Sequence, residues 1–247
     1  MESLVSIIMP SYNSAKTIAQ SIDSVLAQKY RNWELLITDD KSSDDTLAII
    51  NKYRNKDKRI RLFENEINLG AGGSRNRSIK EAGGKYIAFL DSDDLWLADK
   101  LSIQIGYMQK NNVALSYTWY QKFGNHGDGG FVEPRLTVTY QQILYSNIIG
   151  CLTAVYDAEL LGKRFMPLIR KRQDMGLWLD ILKDIDMAKG VPQVLAKYRI
   201  DSGMTQNKIK VLKWQWLFYR EVAELSVVSS LRYFIVYTVL GFLKYKK

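Results

Sequence analysis

The chain has 247 residues, 47% of them hydrophobic, a single cysteine and a formal charge of +9. That content supports a buried core and excludes a disordered chain, and the lone Cys151 excludes an intramolecular disulfide or a thiolate metal cluster. The charge is uneven: residues 1–100 carry 15 basic and 15 acidic side chains, residues 101–207 carry 12 and 9, and residues 208–247 carry 8 and 2. The folded part thus lacks the basic face of a nucleic-acid binder, and no nucleic-acid partner is expected.

Met1-Glu2-Ser3-Leu4 opens the chain without a basic stretch leading into a long apolar one, so no secretory signal is expected. Short apolar runs predict strands at 4–9, 33–38, 60–64 and 85–90. Between them, stretches of helical period predict helices near 15–28, 44–54 and 74–82. Such alternation implies an α/β fold whose sheet is mostly parallel and flanked by helices. Ligands of an open parallel sheet bind beyond the carboxyl ends of its strands. Four segments should therefore meet there: Pro10-Ser11-Tyr12-Asn13, Asp39-Asp40, residues 65–73, and Asp91-Ser92-Asp93-Asp94.

Asp91, Asp93 and Asp94 follow an apolar strand directly. Like charges so close call for a compensating cation, and hard cations such as Mg²⁺ and Mn²⁺ prefer carboxylate oxygen. The same residues also suit a solvated acidic turn, or the N-cap of a helix beginning near Leu97. Asp39 ends a strand where a carboxylate can accept a base N–H or a ribose hydroxyl, although Asp and Ser also close turns for local reasons. Residues 68–76 form a Gly-rich opening to a helix with Arg75 on its first turn, suited to a diphosphate or a base carbonyl. The turn after the first strand has no glycine, which disfavours a nicotinamide dehydrogenase.

Beyond residue 110 the pattern becomes mixed, with a strand at 113–120, a Gly-rich turn at 124–130 and a strand-like 150–156. A helix is expected over 174–183 and a strand over 193–200. This organisation divides residues 1–207 into a nucleotide-binding half (1–110) and an acceptor-binding half (111–207). His126 falls in the Gly-rich turn and reads as a solvated loop residue. Residues 208–247 combine the basic excess with Trp214, Trp216, Phe218, Tyr219, Tyr233, Phe234, Tyr237, Phe242 and Tyr245. The apolar stretch 231–243 is shorter than the roughly 20 residues a spanning helix needs. An amphipathic helical extension lying at the membrane interface is expected, with packing on the folded domain or on a second subunit as the alternative.

Taken together, residues 5–13, 38–46, 68–76, 86–96 and 172–178 resemble glycosyltransferase family 2, the inverting enzymes of GT-A fold that use nucleotide sugars. Within it the chain looks most like bacterial enzymes that build O-antigen, capsule or teichuronic acid. The resemblance implies that Asp39 hydrogen-bonds a uracil, that Pro10 and Tyr12 line the base pocket with Asn13 beside them, and that Arg75 holds the base or the phosphates. It implies that Asp91 touches the ribose or the metal, that Asp93 ligates Mn²⁺ or Mg²⁺, and that Asp174 is the base that deprotonates the acceptor. The implied partners are a UDP-sugar donor and a polyprenyl-diphosphate-linked glycan acceptor, met at the cytoplasmic face of the membrane, with self-association left open.

Three departures from the family pattern stand out. Gln173 replaces a common acid before Asp174. The loop 198–205 lacks the frequent histidine, leaving open whether Asp201 substitutes. Lys41 occupies a usual glycine position. Trp96 and Trp178 read as core residues near the site, and Arg170-Lys171-Arg172 as a solvated basic run that also suits a lipid diphosphate. The rival readings are a sugar nucleotidyltransferase, which would carry a Gly-rich loop after the first strand, and a non-catalytic membrane-surface module.

Overall fold

The structure, a computed structural model, describes residues 2–201 and 208–244; residues 202–205 of the loop discussed above and Tyr245 lie outside them. β1 (Val5–Ser11), α1 (Ile18–Leu26), β2 (Trp33–Asp39), α2 (Thr46–Lys56), β3 (Ile60–Glu64), α3 (Gly70–Glu81) and β4 (Tyr86–Phe89) alternate as the sequence pattern predicts. They pair in parallel in the order β3-β2-β1-β4, so four carboxyl ends share one rim. β1 and β4 are buried along their whole length, which explains their continuous apolar sequence: both faces of a parallel sheet are covered. Ile8, Leu36 and Ile87 face one core cluster, whereas Ile7, Leu35 and Ala88 face the other, as the two-residue period of a strand dictates.

The chain continues through β5 (Leu95–Trp96), α4 (Lys100–Asn111), β6 (Leu115–Gly124), β7 (Gly127–Val132), β8 (Thr137–Val138) and α5 (Tyr140–Tyr145). A 3₁₀ turn (Cys151–Thr153), β9 (Val155–Asp157), α6 (Ala158–Leu161), α7 (Gln173–Ile181) and β10 (Ala188–Arg199) follow. The sheet extends as β4-β9-β6-β10-β5, with β9 antiparallel to both neighbours and β10 parallel to β6. One mixed sheet therefore carries both halves: parallel in the first, mixed in the second.

Three local expectations are corrected. The Gly-rich stretch before Arg75 is helical, because α3 starts at Gly70; a Cβ at Gly72 would sit 3.2 Å from the Gln173 side chain, so the helix packs closely there. Residues 150–156 split into the 3₁₀ turn and the short β9, because Lys100, Gln104 and Trp96 all donate hydrogen bonds to carbonyls of that turn. The last strand begins at Ala188 rather than 193, with register shifts after Val191 and Val194 around Pro192, which cannot donate to the ladder.

The tail forms α8 (Lys208–Leu217), a π-helical turn (Phe218–Val222) and α9 (Val227–Lys244). Phe218 and Tyr219 are fully buried in a core cluster, the Tyr219 hydroxyl donates to the Leu144 carbonyl at 2.6 Å, and the Tyr233 ring lies 4.9 Å from that of Tyr145. This face packs on the domain. Along the other, Val228, Leu231, Ile235 and Val239 are exposed at helical spacing. Among the described residues no helix is long and apolar enough to cross a membrane.

Candidate active site

The rim of the parallel strands is wired together by short polar side chains. Asp39, at the end of β2, is buried and accepts from the Ser11 hydroxyl (3.0 Å), the Ser42 hydroxyl (2.6 Å) and the Ser42 N–H (2.8 Å). Turn chemistry therefore uses three of the about four acceptor positions that a carboxylate offers. Asn13, at φ +47°, receives the Ser43 N–H at 2.8 Å, and its own N–H goes to the Ser42 hydroxyl at 2.9 Å. Ser14 meets Ser92 at 2.8 Å. Tyr12 projects from this rim about half-exposed, whereas Pro10 is buried within β1. Lys41 adopts φ +66°, so the turn that suits glycine forms here without one.

Asp40 has a structural task that its sequence position did not reveal. Its carboxylate accepts from the Asn65 side chain and from the N–H groups of Leu69 and Gly70, at 2.7–2.8 Å, and thereby ties the start of α3 to the end of β2. On α3, the buried Arg75 forms a short ion pair with Asp91 through Nη2 and approaches the Met166 sulfur at 3.9 Å, while its Nε has no hydrogen-bond partner. Burial works against the guanidinium charge, but the neighbouring carboxylates, Asp91 first and then Asp174, outweigh it, so the pKa lies above its ordinary value and the cation is secure. Asn76, on the same helix, exchanges hydrogen bonds of 2.8 and 2.7 Å with the Met166 backbone. The segment leading to α7 is docked against α3 in this way.

The acidic turn after β4 does not cap a helix, since α4 begins at Lys100 with Asp99 at its N-cap. Asp94 is almost wholly buried and accepts the Arg199 N–H at 2.8 Å; desolvation first, then the charges of Asp91 and Asp93, push its pKa well above the usual carboxylate range. The Asp93 carbonyl accepts from Arg199 Nε at 2.8 Å. Among the described residues no three-ligand His/Cys/Asp/Glu cluster is formed. The concentrated carboxylate charge around Asp91, Asp93 and Asp94 nevertheless has the hard-oxygen character that Mg²⁺ or Mn²⁺ prefers, so these residues fit such an ion. Asp201 is occupied elsewhere, its carboxylate accepting the Asn125 N–H at 2.5 Å beside the β6–β7 turn, where His126 is exposed.

Asp174 lies on the first turn of α7. The N-cap is Arg172 at φ +69°, so the plain N-cap reading of Asp174 does not hold. Instead Asn147 Nδ2 donates to Asp174 Oδ2 at 2.7 Å. The Asn147 Oδ1 is buried without a partner, an arrangement that costs about 1–3 kcal/mol. The amide is oriented for the carboxylate and not for its own satisfaction. Gln173 donates to the Ile169 carbonyl at 2.6 Å, and Arg172 bonds the Tyr237 hydroxyl of the tail.

Arg75, Asp91 and Asp94 share with Gln173 and Asp174 a single pocket of about 280 Å³. Cys151, Tyr120 and Tyr198 complete its wall. No local pattern marks these three as pocket residues. Burial holds the Cys151 thiol well above its usual pKa, which keeps it neutral, and burial followed by the Asp94 charge raises Tyr198 to about 12. Trp96 and Trp178 are core residues, the first donating to the Leu152 carbonyl at 2.8 Å and the second edge-on to Phe89.

Residues 6–155 match the model of the family Glycosyl transferase family 2. The chain belongs to this family. It is 44% identical over 245 residues, 98% of its length and 95% of the relative's, to the UDP-Glc:alpha-D-GlcNAc-diphosphoundecaprenol beta-1,3-glucosyltransferase WfgD of Escherichia coli. It is 40% identical over 95% of its length to the putative teichuronic acid biosynthesis glycosyltransferase TuaG of Bacillus subtilis, covering 94% of that protein. In fold it is similar to S. aureus TarS 1-349 in complex with UDP, at a TM-score of 0.70 and 21% identity over 93% of this chain and 69% of that one. The mannosyltransferase PcManGT of Pyrobaculum calidifontis, in complex with GDP-Man and Mn2+, gives a TM-score of 0.67 at 17% identity over 92% of this chain and 66% of that one. The architecture is thus GT-A, and this family 2 member is a glycosyltransferase.

Proposed function

We propose that this glycosyltransferase moves a sugar, with inversion, from a UDP-sugar to a glycan carried on a polyprenyl diphosphate. The observation that carries the reading is the shared pocket: Arg75 and Asp91 stand on the donor rim, and Asp174 opposes them from α7. A nucleoside on the β1–β2 side would present its base to Asp39 and Tyr12, with Asn13 and Pro10 shaping the loop around it. Its diphosphate would then lie towards Arg75, whose buried positive charge offsets the charge that develops on the leaving group. Asp91 and Asp93 would hold Mn²⁺ or Mg²⁺, which supplies further charge compensation at that diphosphate. Asp174 takes the proton from the attacking hydroxyl through Oδ1, because Asn147 occupies Oδ2.

WfgD and WfaP of Escherichia coli, 44% and 40% identical, are both named for UDP-glucose and a GlcNAc-diphosphoundecaprenol, which makes that pair the first substrates to try. The exposed row Val228, Leu231, Ile235 and Val239, with the basic excess of the tail, supports a peripheral seat on the anionic cytoplasmic leaflet. The test is transfer from UDP-glucose to a synthetic GlcNAc-diphosphate lipid, with Mn²⁺, Mg²⁺ or chelator present. Metal-dependent formation of a β-linked disaccharide is expected; an α-linked product would overturn inversion, and undiminished transfer in chelator would overturn the metal.

A further inference from the structure

A second groove, of about 430 Å³, runs between the tail and the second half of the domain, away from the donor pocket. Pro134, Tyr145, Ile148 and Val236 give it apolar walls, and Arg135 adds a guanidinium that is exposed and holds no ion pair among the described residues. An occupant matched to it is anionic at one end and apolar along the rest. The groove is also close to the chemistry. Ser146 and Ile148 line it, while Asn147 between them turns the other way and donates to Asp174 Oδ2 at 2.7 Å. A wall one residue thick thus separates the groove from the base. Its far side is α9, held there by the Tyr145–Tyr233 ring contact and by the bond from Arg172 to Tyr237. The same helix exposes its apolar row to the outside.

We propose that this groove binds the isoprenoid diphosphate of the acceptor, with the diphosphate at Arg135 and the first isoprene units against Tyr145, Ile148 and Val236. This rests on the lipid-linked acceptor reading above. The carried sugar is then directed over residues 146–148 towards Asp174, which Asn147 contacts from the other side of that segment, while the rest of the lipid leaves along α9. The donor diphosphate uses the other pocket, so the two phosphate groups do not compete.

The test titrates farnesyl diphosphate into the full-length enzyme at saturating UDP by calorimetry, and uses it as an inhibitor of transfer. Binding that competes with the lipid-diphosphate acceptor and not with the donor is expected, with inorganic pyrophosphate binding at least tenfold more weakly. Arg135→Glu, on an exposed side chain, and Val236→Trp, which fills the groove, should each raise the acceptor KM and the farnesyl diphosphate Kd tenfold or more while UDP affinity stays unchanged. Wild-type acceptor KM in both variants overturns the proposal, as does competition with the donor alone. Equal affinity for pyrophosphate overturns the isoprenoid part. Should the wild-type enzyme glycosylate no lipid diphosphate yet bind farnesyl diphosphate in an Arg135-dependent way, the acceptor reading falls and the groove stands. Absence of that binding removes the groove.

Discussion

The two sides of the pocket are built on opposite principles. The rim proposed for the donor is densely tied: Asp39, Asp40, Asn13 and Ser92 are each hydrogen-bonded to a neighbour from another strand end or loop. The side that carries Asp174 is held by contacts of a different kind, Asn147 to Asp174, Gln173 to the Ile169 carbonyl and the tail to Arg172, and it leaves the Asn147 Oδ1 without a partner.

The contrast breaks most severely at Arg75, which stands where the two sides meet. Arg75→Met leaves Asp91 without its cation at a half-buried place, a loss on the order of 1–3 kcal/mol in stability, and UDP affinity should fall with it. Thermal melting and calorimetry check both; a variant with unchanged melting and UDP affinity would detach Arg75 from the donor side.

Lys100 tests the scaffold beneath. It is fully buried against Gln104 and the Thr153 carbonyl, and burial lowers its pKa to about 7. The unfolded chain, with the ordinary lysine value, binds the extra proton between about pH 7 and 10.5, so stability rises with pH through that window. Lys100→Met should remove this rise and gain on the order of 2 kcal/mol at pH 7, less than the full shift because Gln104 loses its donor. Denaturant titrations at pH 7 and pH 10 measure it, and an unchanged slope with pH refutes the buried neutral amine.

Asn147→Ala sharpens the comparison. Because the amide is already half-unsatisfied, its removal should leave the melting temperature level or slightly higher while slowing turnover about tenfold, the equivalent of about 1.4 kcal/mol. A purely structural asparagine would do the reverse. The smallest effect belongs to Lys41, whose left-handed backbone Gly would relieve: Lys41→Gly should stabilise by less than about 1 kcal/mol, and destabilisation would show that the lysine side chain has a task of its own.

The sequence made the donor side legible because its signals are local. Apolar runs ending in Asp39 and Asp91 fix strand ends, and a parallel sheet brings those ends together. The acceptor side was less legible for the opposite reason. The 3₁₀ turn at Cys151 depends on Lys100, Gln104 and Trp96, some 50 residues earlier, and α3 packs at Gly72 against Gln173, a hundred residues later. Asn147 carries no pattern at all until α7 folds against its loop. The aromatic tail reads correctly as helical, but which of its faces is covered is decided by Leu144 and Tyr145 of α5.

We propose that Asp174 does the chemistry from its side of the pocket while the opposite rim binds nucleotide without it. Turnover and UDP affinity of Asp174→Asn, determined side by side, test it most directly. The account predicts transfer lowered by at least about a thousandfold, roughly 4 kcal/mol of transition-state stabilisation, with UDP affinity within twofold of the unaltered enzyme. Transfer at the unaltered rate, or a loss of UDP binding that matches the loss of transfer, would contradict it.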